Sequence, residues 1–283
     1  MIGLYYRENN ERSLSALKKL KELLSGGGLK YRDVFDVSSA TENSDDYSDI
    51  DLLIVFGGDG SVLKAAKIAL DRFPVVAINT GNVGFLTSYE EHDLKKLVAD
   101  IKEGNINYSQ RRFMLVSCNG NRYYALNDAV IMKDHSVDNA CECIKLYFSI
   151  DGERVDTYVA DGLILSTPTG STAYALSAGA PIVTPKVNAF VAAPICAHTL
   201  HSRPIVFNSE SVSEITVAKG SKDCALYVDG TLAERVAASG KVVVERGDKS
   251  VRICDFAEKF FDKLSEKLTI WSMGETTGDK SGK

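Results

Sequence analysis

The sequence predicts two domains of different rhythm. A parallel α/β domain takes residues 1–103 and a returning segment at 248–272, a mostly antiparallel β domain takes 104–247, and 273–283 form a disordered tail. Three observations carry this expectation. Apolar strand-like runs alternate with helical spacing through residues 1–103, the pattern of βαβ units whose sheet is covered on both faces. From about residue 106 the spacing changes to short strands separated by Asn-Gly and Asp-Gly turns, as in hairpins. Near the end, Phe256-Ala257-Glu258-Lys259-Phe260-Phe261-Asp262-Lys263-Leu264 reads as an amphipathic helix unlike the β half before it, so it packs back on the first domain.

The elements follow in order. Residues 2–6 form the first strand, and a helix at 11–25 is stopped by Gly26-Gly27-Gly28. A second strand lies near 31–37, followed by a polar loop, 38–50. The continuous apolar run at 51–56 suits a buried parallel strand, and helical spacing resumes at 61–72. Residues 74–78 are a further strand and 91–102 a helix. In the second domain a hairpin turns at Asn119-Gly120-Asn121, between strands at 113–118 and 122–126. Strands follow at 129–133, 142–150 and 153–159, the last two joined at Asp151-Gly152. More lie at 162–166, 213–218, 224–228 and 241–246, and helical periodicity is confined to about 172–179.

Composition narrows the function classes. The chain has 283 residues, enough for real cores, with 45% hydrophobic and 25% charged residues and a formal net charge of −5. That charge, evenly interspersed, argues against a nucleic-acid partner. No run approaches the ~18 apolar residues of a membrane span, and no basic leader precedes the first strand, so the expectation is a soluble cytoplasmic protein. Six cysteines, at 118, 141, 143, 196, 224 and 254, are scattered through apolar stretches and read as reduced thiols. Only Cys141-Glu142-Cys143 is close-spaced, and it lacks the second half of a zinc site.

The chemistry concentrates in two places. At the first, Gly57-Gly58-Asp59-Gly60 joins the strand 51–56 to the following helix, whose first N–H groups attract an anion. Its lone charge is a carboxylate, which a plain phosphate pocket would not favour. Asp59 therefore points to a metal, a hydroxyl to be activated, or both, while its bland alternative is a helix N-cap. The turn is neither a dinucleotide fingerprint nor a P-loop, because no third glycine is suitably spaced and no Lys-Ser/Thr pair ends it. A second glycine-rich turn, Asn79-Thr80-Gly81-Asn82-Val83-Gly84, also lies at a strand's carboxyl end, where ligands of parallel sheets bind. Lys64 and Lys67 sit three apart on the helix after Asp59, a solvated face with contact to a phosphate ligand as the other reading.

The second place runs from Asp161 to Tyr174. A buried strand meets four hydroxyl side chains, Ser166, Thr167, Thr169 and Ser171, around Pro168 and Gly170, before Thr172, Ala173 and Tyr174 open a helix. The hydroxyls can cap that helix or bond ribose and amide groups, and the small residues 171 and 173 leave room for a flat ring.

These motifs, with Asn127-Asp128 and with Pro194-Ile195-Cys196-Ala197-His198-Thr199-Leu200 and Arg203-Pro204, resemble the NAD kinase family in order and spacing over residues 50–235. The stretch Ser166–Tyr174 is the most specific; Gly-Gly-Asp-Gly alone is shared with lipid kinases and phosphofructokinases. The resemblance implies a Rossmann-like N-terminal α/β domain, a C-terminal β-sandwich and a homodimer or homotetramer. It implies transfer of the γ-phosphoryl group of ATP, or of polyphosphate, to the 2′-hydroxyl of the adenosine ribose of NAD, with Mg²⁺ or another divalent cation. Asp59 matches the family's catalytic base, with Mg²⁺ ligation as its other role, and Gly58 and Gly60 face the phosphates. Asp59, Gly60, Phe85, Asn127, Asp128, Asp161, Thr169, Thr172, Ala173 and Tyr174 are the expected NAD contacts. Asp229, in a Tyr-Val-Asp-Gly turn, is either a further contact on the nicotinamide side or an ordinary hairpin residue.

Three departures touch nucleotide binding rather than the reaction. Asn127-Asp128 replaces the family's Asn-Glu, Ala197-His198 its Pro-His, and Asp229-Gly230-Thr231 its Asp-Gly-Gln. His198 and His201 lack a nucleophile or ligand spacing and read as structural. A lipid or sugar-phosphate kinase is the first rival, but such relatives carry a Gly-Thr-Gly-Asn-Asp or Thr-Ile-Asp-Asn-Asp type element where this chain has Asn-Thr-Gly-Asn-Val-Gly-Phe. A dinucleotide sensor is the second, and the intact Asp59 weighs against it.

Overall fold

The computed structural model describes residues 1–7, 10–34, 47–81, 84–134, 143–199, 201–255 and 260–273. Most of the polar loop 38–50, Asn82-Val83 of the second glycine turn, Cys141-Glu142, residues 256–259 and the tail 274–283 lie outside the described residues. The chain divides into two compact units, Met1–Ser109 with Arg252–Lys283, and Gln110–Val251.

The first unit is a parallel α/β layer. Its strands are β1 (Ile2–Tyr5), β2 (Tyr31–Val34), β3 (Leu52–Phe56), β4 (Val75–Asn79) and the short β5 (Tyr89–Glu90), in the order β2-β1-β3-β4-β5, all parallel. Every residue of β1, β3 and β4 is buried, because helices cover both faces of the sheet. One face carries Leu4, Ile54, Phe56, Val76 and Ile78 against α1 (Glu11–Gly26) and α3 (Leu94–Glu103). α2 (Asp59–Ala69) packs on β3 and β4 through Val62, Ala65, Ala66 and Ala69. The Asn10 side chain caps α1 by accepting from the Ser13 N–H at 3.1 Å. α2 starts two residues earlier than periodicity placed it, so Asp59 is the first residue of the helix and Gly58 its N-cap. The bland alternative of Asp59 as N-cap is thereby corrected.

The second unit is a pair of antiparallel sheets. Its strands run from β6 (Tyr108–Cys118) and β7 (Asn121–Ala125) through β8 (Asp128–Lys133), β9 (Ile144–Ile150), β10 (Glu153–Ala160) and β11 (Gly162–Ser166). They continue with β12 (Ala189–Ile195), β13 (Ile205–Asn208), β14 (Ser213–Val217), β15 (Cys224–Val228), β16 (Thr231–Val236) and β17 (Lys241–Cys254). One sheet has the order β10-β9-β14-β17, with β6 paired to β17 and β7; the other is β13-β12-β11-β8-β15-β16. Leu146, Phe148, Ile215 and Val244 of the first meet Ile131, Leu163, Leu165 and Leu226 of the second in one core. Each such fully buried side chain contributes about 1.5–3 kcal/mol relative to exposure. The outer face of the second sheet is also apolar. Val130, Ile164, Val191 and Ala193 lie under Ala175, Ala180 and Val183 of the segment after β11.

The hairpin turns are as the sequence predicts. Asn119-Gly120, Asp151-Gly152 and Asp229-Gly230 all take left-handed conformations at both positions, the type I′ geometry that matches strand twist. Several strands escaped the sequence: β5, β12, β13, β16 and the second half of β17. In β12, Pro194 disguises a strand. It faces Leu163 of β11, whereas the ladder to β13 ends at Ala192, so no missing N–H interrupts it. The helix predicted over 172–179 is only one short turn, α4 (Tyr174–Ser177), after a 3₁₀ turn at Gly170–Thr172. The C-terminal helix, expected over 256–264, is α5 (Phe260–Met273).

Candidate active-site turns

In the first unit the two glycine turns meet. The Asp59 carboxylate accepts the Phe85 N–H on Oδ2 and the Leu86 N–H on Oδ1, both at 2.9 Å. Gly84 must lack a side chain for this to happen, since a Cβ there would sit 2.3 Å from Asp59 Oδ1. The second turn has anchors of its own. Asn79 Oδ1 accepts the Gly81 N–H at 3.1 Å, and Thr80 shares a 2.7 Å hydrogen bond with Ser13 of α1.

The surroundings of Gly58 and Gly60 are the opposite. A Cβ at either would meet no atom, and no side chain caps the N-terminus of α2. Packing therefore does not demand these glycines. The start of α2 presents backbone N–H groups and the positive end of the helix dipole, the ordinary means of holding a phosphate. Lys64 is exposed on the same helix.

The C-terminal helix completes this group. Phe85 is half-buried with its ring 6.2 Å from that of Phe260, and Lys263 of α5 donates to the Phe85 and Thr87 carbonyls. Lys267 lies one turn further along. Its Nζ is 3.8 Å from Asp59 Oδ2 and 4.2 Å from the centre of the Phe85 ring. Burial pushes the Lys267 ammonium pKa down, and the Asp59 charge opposes that shift. Neither lysine could be found from the sequence, which shows only an amphipathic helix some two hundred positions from Asp59.

In the second unit one backbone corner, Leu126-Asn127-Asp128, is held from two directions. Asp229 Oδ1 accepts the Asn127 N–H at 2.8 Å and the Asp128 N–H at 3.3 Å, while Oδ2 accepts the Leu126 N–H at 3.0 Å. From the other side the Thr167 N–H donates to the Asn127 carbonyl at 2.8 Å, and the Thr167 hydroxyl donates to the Leu126 carbonyl. Gly170 lies so close that a Cβ would come within 2.2 Å of the Asn127 carbonyl oxygen. Thr167 also caps the following turn, accepting the Gly170 N–H at 3.1 Å.

This arrangement sorts the hydroxyl cluster. Ser166, Thr167 and Ser171 are fully buried and serve the loop itself; Ser171 donates to the Pro168 carbonyl at 2.7 Å and accepts the Val183 N–H at 2.9 Å. The room expected around residue 171 is thus filled by the loop's own packing. Thr169, Thr172 and Ala173 are half-buried, and Thr169 makes no side-chain cap to its turn. Tyr174 is 41% exposed. Burial, then the charges of Cys196, Asp128 and Asp161, raise its phenol pKa, so each of the three lies within electrostatic reach of Tyr174. Asp161 pairs with Lys133 at 2.8 Å, a partner opposite it in the β8–β11 register that the sequence reading missed.

Asn127 is the most telling residue here. Its side chain is only 9% exposed, and Oδ1 has no hydrogen-bond partner among the described residues. A buried amide oxygen left unpaired costs about 1–3 kcal/mol, so a rigid corner that presents one is suited to a donor on a ligand. The remaining expectations are structural. His198 accepts or shares a hydrogen with Cys143, Nε2 to Sγ 3.1 Å, and its N–H binds the Val159 carbonyl. The five described cysteines are free thiols. Among the described residues no His, Cys, Asp and Glu side chains group in threes to hold a metal ion, and no helix is long and apolar enough to cross a membrane.

Comparison with known proteins agrees with the resemblance seen in the sequence. Residues 3–106 match the model of the ATP-NAD kinase N-terminal domain, and residues 126–256 that of the ATP-NAD kinase C-terminal domain. Among curated relatives, the NAD kinase of Aquifex aeolicus is 36% identical over 279 residues, covering 94% of this chain and 97% of its own. That of Heliobacterium modesticaldum is 33% identical over 281 residues, with 94% and 98% covered. Among solved structures, an NAD kinase from Archaeoglobus fulgidus in complex with ATP superposes with a TM-score of 0.75 at 25% identity, over 95% of this chain and 99% of that one. Yeast NADH kinase complexed with NADH gives 0.81 at 22% identity, over 100% and 89%, a likeness of fold.

Proposed function

The chain belongs to the NAD kinase family, and from that premise we propose a residue-level account of how it phosphorylates NAD. It is a phosphotransferase that moves the γ-phosphoryl group of ATP to the 2′-hydroxyl of the adenosine ribose of NAD, giving NADP.

Asp59 is the proposed proton acceptor. A ribose hydroxyl does not ionise at neutral pH, so a hydrogen-bonded carboxylate takes its proton as the new O–P bond forms and the bond to the ADP oxygen breaks. The observation that carries this role is the contrast within one turn. A Cβ at Gly58 or Gly60 would meet open space, while the carboxylate between them is fixed by two backbone N–H groups and remains 31% exposed. The N–H groups at the start of α2 hold the phosphates, with exposed Lys64 as a further cationic contact. Asn127 and Asp128 bind the nucleotide from their clamped corner, together with Asp161, Thr169, Thr172, Ala173 and Tyr174, and Phe85 lines the pocket beside Asp59. Gly60 joins the phosphate and NAD contacts. Asp229 acts on NAD through the corner that it holds.

Magnesium is the proposed divalent cation. Asp59 is the carboxylate of this turn that would help hold the ion beside the phosphates. When bound it neutralises phosphate charge. A cytoplasmic setting and a homodimer or homotetramer complete the proposal on the family resemblance, and light scattering at the monomer mass would remove the second.

The test is NADP formation by the purified chain from NAD, ATP and Mg²⁺, read with an NADP-specific dehydrogenase. Turnover is expected with ATP as donor. Tight NAD binding without turnover on ATP or polyphosphate would turn the reading to the sensor.

A further inference from the structure

The C-terminal helix brings a cation to the residue proposed as the base, and nothing in the sequence motifs accounts for it. Lys267 is 16% exposed, its Nζ stands 3.8 Å from Asp59 Oδ2, and it lies 4.2 Å over the Phe85 ring. Holding an ammonium group there is unfavourable in itself, because burial disfavours its charged form. An apolar side chain of similar length would fill the same space beside Phe85 without that cost. The helix does not depend on Lys267 for its seat, since Lys263 already donates to the Phe85 and Thr87 carbonyls and Phe260 packs on Phe85. The charge at position 267 therefore calls for a reason other than docking.

We infer that Lys267 is a positioning residue for phosphoryl transfer, a cation that holds the Asp59 carboxylate oriented toward the hydroxyl it deprotonates. This rests on the reading of Asp59 as the proton acceptor. Phe85 N–H and Leu86 N–H fix one direction of approach to each carboxylate oxygen, and Lys267 restrains Oδ2 further while leaving the group partly open. As negative charge moves from the ribose oxygen to the transferring phosphoryl group, a nearby desolvated cation also offsets it. The helix that closes the first unit in sequence would thus be part of the catalytic apparatus and not only of the fold.

The experiment compares wild type with Lys267→Met, Lys267→Arg, Asp59→Asn and the double variant Asp59→Asn/Lys267→Met, each checked for cooperative thermal unfolding. Lys267→Met is expected to lose about ten- to a hundredfold in kcat, the scale of one charge-assisted contact, with KM for NAD and ATP within about threefold of wild type. Lys267→Arg should stay several-fold faster than Lys267→Met. In the Asp59→Asn background, removing Lys267 should change kcat by less than about threefold, because the two act as a unit. An unchanged kcat in Lys267→Met, an Arg variant as slow as Met, or additive losses in the double variant would each overturn the inference. Should Lys267→Met not fold, Lys267→Gln carries the same expectations. A wild type that makes no NADP removes the reading of Asp59 itself; an active wild type with an indifferent Lys267→Met removes only the role of Lys267.

Discussion

Asp59 and Asp229 both hold a neighbouring turn by its backbone N–H groups, but in different company. Asp229 takes three such bonds, from Leu126, Asn127 and Asp128, at the tip of a type I′ hairpin, two of them on a single oxygen. Asp59 takes two, one on each oxygen, at the first residue of a helix, between glycines where a Cβ would meet no atom, and a half-buried ammonium group stands beside it. The same side chain thus serves as a clamp in one region and as a fixed but accessible base in the other. The number of backbone donors held, and the cation beside one of the carboxylates, separate the two roles better than sequence context does. Both carboxylates are followed by glycine.

The largest effect should come from removing the charge of Asp59. Asp59→Asn is expected to lower kcat by ~10²–10⁴, the usual worth of general-base assistance, as followed by NADP formation. The structure adds a second consequence. The Phe85 and Leu86 N–H groups use one carboxylate oxygen each, so in the amide one of them faces an NH2 donor instead of an acceptor, and stability should fall by about 1–3 kcal/mol in denaturant unfolding. Retained kcat would end the base role. A loss that appears chiefly as a changed Mg²⁺ requirement would instead make Asp59 a metal ligand.

Next in size come the two sides of the Asn127 corner. Asp229→Asn should leave at least one of three backbone donors unpaired, costing about 1–3 kcal/mol, and Gly170→Ala should press a methyl group on the Asn127 carbonyl at a similar cost of about 1–3 kcal/mol. Both should raise KM for NAD about tenfold while kcat changes little, because they loosen a binding corner and leave Asp59 alone. Asp229→Asn with an unaltered KM would separate the clamp from NAD binding. A kcat collapse would bring Asp229 nearer the chemistry than its geometry allows.

Local chemistry decided how much of this was legible in the sequence. The I′ turns at Asn119-Gly120 and Asp151-Gly152 and the all-buried strand Leu52–Phe56 follow from neighbouring residues, and they were readable. Strands β12 and β13 were not: Pro194 reads as a breaker until the ladder shows that one of its sides is free of pairing. In the site, the glycine turns and the hydroxyl cluster were visible as motifs, but their division of labour was not. Thr167 and Ser171 carry the same hydroxyl group as Thr169 and Thr172, and only packing buries the first two while the others stay half-exposed. Lys133, Lys263 and Lys267 were invisible for a further reason. Each meets its partner through a register or a helix return, and no local pattern encodes such pairings.

The smallest effect is the most discriminating, because it opposes stability to activity. Gly60 lies in the first turn of α2 with helical backbone, Gly58 is extended at φ −95°, and a Cβ at either meets open space. Gly60→Ala should therefore stabilise the fold by about 0.4–1 kcal/mol, since alanine loses less backbone freedom on folding. If the phosphates approach this backbone, the same methyl group stands in their way, and KM for ATP should rise several-fold while the variant unfolds at higher denaturant. The glycine would then be kept for the ligand and against the interest of the fold. A variant that is more stable and binds ATP as well as wild type would show that the phosphates lie elsewhere, and the contrast between the open turn at Asp59 and the closed corner at Asp229 would lose its functional meaning.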